Sequence, residues 1–201
     1  MGPGQVFVLS GPPGAGKSTV GARVRQDFPD LAYSVSFTTR APRPGESDGV
    51  DYHFVTREDF LGRLARGEMV EHVEVFGNLY GTSRQAMADT VQGGRDLFLD
   101  TEVNGGAALK RAFPQGVFIF LVPPSPQELE RRLRGRGTES AENIQERLAR
   151  VAYELAAAQD YTHLVVNDDL EQAVNDIGAI IRTDRLRCAR RFEELRRLWG
   201  V

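Results

Sequence analysis

The segment "VFVLSGPPGAGKSTVGARV" (Val6–Val24) constrains the fold more than any other stretch of the chain. An apolar run, Gln5–Leu9, has the character of a buried strand, and a glycine turn follows it. The turn opens a helical stretch from Lys17 to Phe28, which ends before Pro29. Within it, "GPPGAGKS" (Gly11–Ser18) fits G-x-x-x-x-G-K-[ST]. Glycines there let successive backbone N–H groups turn inward around a phosphate chain, and the helix points its positive end at the same anion. Gly11, Pro12, Pro13, Gly14, Ala15, Gly16, Lys17, Ser18 and Thr19 are therefore the candidate ATP-binding loop. Lys17 would reach the β- and γ-phosphates, and the Ser18 hydroxyl would hold Mg2+. The spacing is not G-x-G-x-x-G, which argues against a dinucleotide site.

One internal comparison sharpens the role of Lys17. Of the 25 basic residues, only Lys17 and Lys110 are lysine. A chain that uses arginine almost everywhere keeps lysine where a slim single charge fits beside a packed loop and a planar fork does not.

The remaining elements fit a strand–helix alternation with two excursions. "YSVSFTTR" reads as a second strand, leading into the polar, proline-rich "APRPGESDGVDYHFV", where Asp48-Gly49 suggests a hairpin turn. Thr56 three residues before Asp59 marks a capped helix that stops at Gly67. "EMVEHVEVFGNLY" alternates as a half-exposed antiparallel strand does, and "SRQAMADTVQGG" is a helix closed by glycines. "DLFLD" is then a buried strand ending in Asp100, "VNGGAALKRAF" a helix, and the very apolar "GVFIFLV" a central strand. Ser125, Pro126 and Glu128 begin a helix with cap, N1 and N3 residues in place. "ESAENIQERLARVAYELAAAQ" is a further helix, "HLVVN" the last strand, and Leu170–Trp199 is helical. Leu186, Ala189, Phe192, Leu195 and Trp199 recur there at helical spacing, a stripe that packs on the core or pairs with a second copy; the core is favoured.

Composition excludes several classes. A net charge of −3 and a pI near 5.7 give no pull toward nucleic acid or a membrane surface. No apolar run reaches the roughly 20 residues of a membrane span. "MGPGQVFVLS" lacks the basic start and long apolar core of a signal peptide. The single cysteine, Cys188, excludes an intramolecular disulfide, so a cytoplasmic setting is expected. His53, His72 and His163 are too scattered to form a metal cluster.

With the phosphate loop come "SVSFTTRAPRPGE", "DYHFV", "GNLYGTS", "LDTEVNG", "RLRGRGTES" and "VVNDDL", in an order and spacing that resemble guanylate kinase from about Val6 to Val174. The resemblance implies an α/β fold: a P-loop NTPase-type parallel sheet core, an antiparallel β-rich GMP-binding insert and a helical lid. The core would be 1–35, 93–126 and 151–201, the insert 36–92 and the lid 127–150. It implies transfer of the ATP γ-phosphoryl group to GMP, or dGMP, with Mg2+. By the same resemblance, Arg40, Arg43, Tyr52 and Tyr80 hold the GMP phosphate, residue types suited to a phosphate monoester. Ser36, Glu71 and Thr82 read the guanine edge, and Asp100 and Glu102 stand near the acceptor, Asp100 also near the metal. Arg132, Arg136 and Arg147 match lid arginines, whereas Arg131 and Arg134 read as solvated helix face. Asn167 and Asp168 fall where the family places residues beside the adenine. The chain departs from the family at Glu102, where Asp is usual, at Asn104 for Gln, and at Pro13, which lacks an N–H donor.

Two rival functions share this plan. One is a kinase for another phosphorylated acceptor, such as a ribose phosphate; Glu71 with Ser36 and Thr82 argues for a base instead. The other is a non-catalytic guanylate-kinase-like module that binds a phosphorylated protein segment; the intact lysine and lid arginines argue against it.

Overall fold

The computed structural model describes residues 3–75, 77–135, 151 and 153–200. Five strands form the core sheet: β1 (Val6–Ser10), β2 (Ala32–Tyr33), β7 (Leu97–Asp100), β8 (Val117–Val122) and β9 (His163–Val166). Their order is β2-β7-β1-β8-β9, and every pairing is parallel. Strands covered on both faces need apolar residues at every position, and β1 is buried throughout. Its pleat sends Phe7 and Leu9 to one face, with Val20 and Val24 of α1 (Lys17–Asp27) and Ile177 and Ile181 of α6 (Leu170–Arg185). Val6 and Val8 go to the other, with Met87 of α3 (Arg84–Gln92) and Leu109 of α4 (Val103–Ala112). The sheet is thus sandwiched between two helical layers.

The excursion after β2 carries its own sheet. β3 (Phe37–Thr38), β4 (His53–Phe54), β5 (Met69–Val75) and β6 (Asn78–Ser83) run in the order β4-β3-β6-β5, with α2 (Arg57–Ala65) packing Phe60 against Met69 and Leu79. The α2 start is as the sequence indicated: Asp59 N–H donates to Thr56 Oγ1 at 3.1 Å. The β3–β6 and β5–β6 pairs are antiparallel.

Three local expectations are corrected. The Asp48-Gly49 turn does not close a hairpin, because β3 and β4 run parallel with Phe37 opposite His53. Gly49 instead makes a local turn inside the connection, its N–H donating to Tyr52 O at 2.8 Å. The single strand expected over Tyr33–Arg40 is two, since Tyr33 pairs with β7 and Phe37 with β6. The chain crosses between the sheets at 34–36. The C-terminal helix breaks at Leu186–Arg187, and α7 (Cys188–Trp199) does not bury its stripe. Leu186, Phe192, Leu195, Leu198 and Trp199 are exposed. Polar contacts hold α7 instead. Arg190 pairs with Asp96 and Asp184, and from the end of α6 Arg185 Nε donates to the same Asp96, at Oδ2 and 2.8 Å. Both carboxylates are buried, which these cations compensate.

No helix among the described residues is long and apolar enough to cross a membrane.

Candidate active site

The phosphate loop leaves the carboxyl end of β1, Asp100 lies at the end of β7, and Asn167 directly follows β9. In an open parallel sheet this edge is where ligands bind. The loop closes on itself through Ala15 N–H to Pro12 O at 3.1 Å. Gly16 sits at φ 96° as the N-cap of α1, a left-handed conformation that other residues adopt at a cost. A Cβ there would also lie 2.3 Å from Asn167 Nδ2.

Lys17 is folded into the loop. Its Nζ donates to Gly11 O at 2.6 Å and stands 3.4 Å from Glu102 Oε1. The extra methylene of Glu102, relative to the aspartate usual in the family, is part of that reach. Glu102 therefore meets the phosphate-loop lysine. Ser18 and Thr19 are exposed on the first turn of α1. Pro13 is half-buried beside the buried Pro12 and Gly14, and Asn104 is exposed on the first turn of α4.

Asp100 Oδ1 accepts a hydrogen bond from Tyr33 at 2.7 Å. Tyr52 is nearby, its phenol pushed up to about 12 by burial, then by the Asp100 charge and Tyr80. It stays a donor at physiological pH. Tyr52 and Tyr80 meet edge to face with centroids 6.0 Å apart, and Arg40 lies 5.4 Å from the Tyr52 ring centre. Arg40, Tyr52 and Tyr80 thus form one cluster. Arg43 is exposed at its margin. Both Glu46 oxygens accept from Arg40, at 2.8 and 2.9 Å, and Oε2 also accepts from Arg43 N–H. Those bonds, the Arg40 side-chain bond first, hold the Glu46 carboxyl below its ordinary range despite partial burial.

The second pole is Glu71 on β5. It is buried, and Thr82 donates to its Oε1 at 2.6 Å. Its Oε2 is buried without a hydrogen-bond partner. Burial raises the Glu71 pKa, and the Thr82 bond opposes this. Gly105 of α4 backs onto it, since a Cβ there would fall 2.8 Å from Oε2 and 2.2 Å from Thr101 Oγ1. Glycine is required at this approach of core to insert. Ser36 is half-buried in the crossing, its carbonyl accepting from His53 N–H at 2.8 Å.

On the far side, α5 (Pro126–Gly135) begins with Ser125 Oγ accepting from Glu128 N–H at 3.1 Å. Arg132 Nε donates to Glu128 at 2.6 Å and its Nη2 to Asn167 O at 2.9 Å. The buried Asn167 side chain donates to Ala15 O at 2.8 Å, so it ties the phosphate loop to the strand that holds Arg132. Asp168 is exposed, as are Arg131 and Arg134, which pair with Glu128 and Glu130. Arg136 and Arg147 lie outside the described residues. Sequence reasoning missed Tyr33 and Glu46. Glu46 sits inside the quoted motif and was legible there, whereas a tyrosine within a strand carries no signal.

The family model described as guanylate kinase matches residues 4–184. A guanylate kinase of Thiobacillus denitrificans is 46% identical, over 98% of this chain and 95% of that protein. One from Desulfitobacterium hafniense is 45% identical, over 94% of each. Among solved structures, guanylate kinase from Anaplasma phagocytophilum is 35% identical, covering 94% of this chain and 90% of that one, with a TM-score of 0.78.

Proposed function

The chain belongs to the guanylate kinase family, and on that premise we propose how its residues transfer the ATP γ-phosphoryl group to GMP, giving ADP and GDP. The observation that carries the guanine assignment is Glu71. A buried carboxylate with one oxygen on Thr82 and the other unpartnered offers what guanine N1–H and the 2-amino group need: an acceptor held in place. A ribose phosphate would leave it unpaired.

The GMP phosphate then lies toward Arg40, Tyr52 and Tyr80, with Arg43 at the margin. Arg40 must exchange Glu46 for the phosphate. The acceptor oxygen is already largely ionised at neutral pH, so no general base is required, and catalysis is positioning with charge stabilisation. Lys17, released from Gly11 O and Glu102, meets the charge on the β- and γ-phosphates. Arg132 supports it from α5, with Arg136 and Arg147 assigned to the same role. Asn167 and Asp168 lie on the ATP side.

Among the described residues no cluster of His, Cys, Asp and Glu forms a metal cage. A magnesium ion bound with nucleotide phosphates needs few protein ligands, and the Ser18 hydroxyl and the Asp100 carboxylate are oxygen donors of the right kind. When bound, the ion would neutralise phosphate charge. The test of the reaction is a nucleotide assay: ATP with GMP should yield ADP and GDP in equal amounts. Ribose 5-phosphate should yield none, and a protein that binds a phosphopeptide without turnover would overturn the assignment.

The parts move in this proposal. The insert (36–92) and the lid (127–150) close on the core (1–35, 93–126, 151–201), excluding water that would otherwise hydrolyse ATP. The exposed α7 face would carry self-association with a second copy. Small-angle scattering reads both. A non-hydrolysable ATP analogue with GMP should reduce the radius of gyration, and forward scattering should give the mass of a dimer. An unchanged radius with both ligands bound contradicts closure, and a monomer mass contradicts the α7 assignment.

A further inference from the structure

We propose that Tyr33 is a positioning residue for Asp100, its hydroxyl holding one carboxylate oxygen so that the other is presented to the phosphates and their metal. This rests on Asp100 being the active-site carboxylate.

Tyr33 is fixed from three sides. Its backbone is in the core sheet: it pairs with Phe98, and the next N–H, that of Ser34, donates to Phe98 O at 3.0 Å. Its ring is covered by Arg25 of α1, whose guanidinium carbon lies 3.9 Å from the ring centre. Its hydroxyl donates to Asp100 Oδ1 at 2.7 Å, a charge-assisted bond. A phenol donates and a carboxylate accepts, so the bond runs from Tyr33 to Asp100. Among the described residues Oδ2 of Asp100 has no hydrogen-bond partner.

An aspartate at a strand end turns freely about two bonds unless something holds it. Tyrosine suits that task because its ring is rigid, and β2 joins Tyr33 to the same strand that bears Asp100. The hydroxyl of Tyr33 therefore sets the carboxylate between donor and acceptor sides, where a small misplacement lowers the rate more than binding.

Tyr33→Phe keeps the ring, its contact with Arg25 and the packing, and removes only the hydroxyl. Expected is a fall in kcat of about tenfold, the scale of one hydrogen bond to a charged group, with KM for GMP little changed. Binding of Mn2+ in the presence of a non-hydrolysable ATP analogue, followed by electron paramagnetic resonance of the free ion, should weaken several-fold. Asp100→Asn should lose more on both counts, and Tyr33→Phe should add nothing further in that background. Wild-type kcat and Mn2+ affinity in Tyr33→Phe, with Asp100→Asn impaired, would overturn the role of Tyr33 alone. Full additivity of the two losses would overturn it as well, since Tyr33 would then act elsewhere. An unimpaired Asp100→Asn would instead remove the premise, and the proposal with it.

Discussion

Lys17→Ala leaves a folded protein whose phosphoryl transfer falls by more than about a hundredfold, the scale for removing one preorganised electrostatic contact. The ammonium is largely buried, with its side chain 10% exposed, and is held by Gly11 O and Glu102. In that place it can follow charge as it shifts between the β- and γ-phosphates, where water cannot substitute. The fold tolerates the change for two reasons. Alanine is the best helix former at the start of α1. Glu102, left without its partner, has a side chain 34% exposed and can be solvated. Turnover with ATP and GMP, alongside a circular dichroism spectrum, checks this. Near-wild-type turnover with an unchanged spectrum would remove the phosphate loop from the mechanism.

Glu71→Gln erodes the choice of guanine. The wild-type carboxylate presents acceptors only, and Thr82 occupies one of them. An amide keeps its oxygen for Thr82 and turns an NH2 toward guanine N1–H, donor against donor. AMP, which has an acceptor at N1, is relieved of a clash by the same change. A site built for polar pairing discriminates by up to ~10⁴ in kcat/KM, and most of that ratio should vanish in Glu71→Gln. Glu102→Gln should leave the GMP-to-AMP ratio closer to wild type, because Glu102 pairs with Lys17 and only Glu71 is assigned wholly to the base. The pH dependence has a definite sign. Burial raises the Glu71 pKa, and only the ionised form accepts from both guanine donors. GMP affinity should therefore weaken as pH falls through that raised value, and the glutamine variant should lack this limb. An unchanged ratio in Glu71→Gln would contradict the role given to Glu71.

The core was legible because its strands are buried on both faces. Val6–Ser10, Leu97–Asp100 and Val117–Val122 must be nearly all apolar, and such runs are plain in a sequence. The phosphate loop was legible because its glycines answer to backbone geometry. The insert was less so. Strands of two residues, such as Phe37–Thr38 and His53–Phe54, carry no periodicity, so neither the split after Tyr33 nor the parallel pairing of β3 with β4 could be read. The stripe on α7 has the same spacing whether it faces a core or solvent. The decision lay in Asp184 on the preceding helix and in Asp96, far along the chain, which draw the arginine side of the helix inward. Tyr33 is a long-range case too, since its contact with Asp100 spans 67 residues and has no local signature.

The most direct test of ATP-dependent phosphorylation at a guanine-reading site is kcat/KM for GMP and for AMP, measured side by side on the wild-type protein with saturating ATP. GMP should exceed AMP by up to ~10⁴, the discrimination a buried polar site gives. Comparable values for the two acceptors would contradict it.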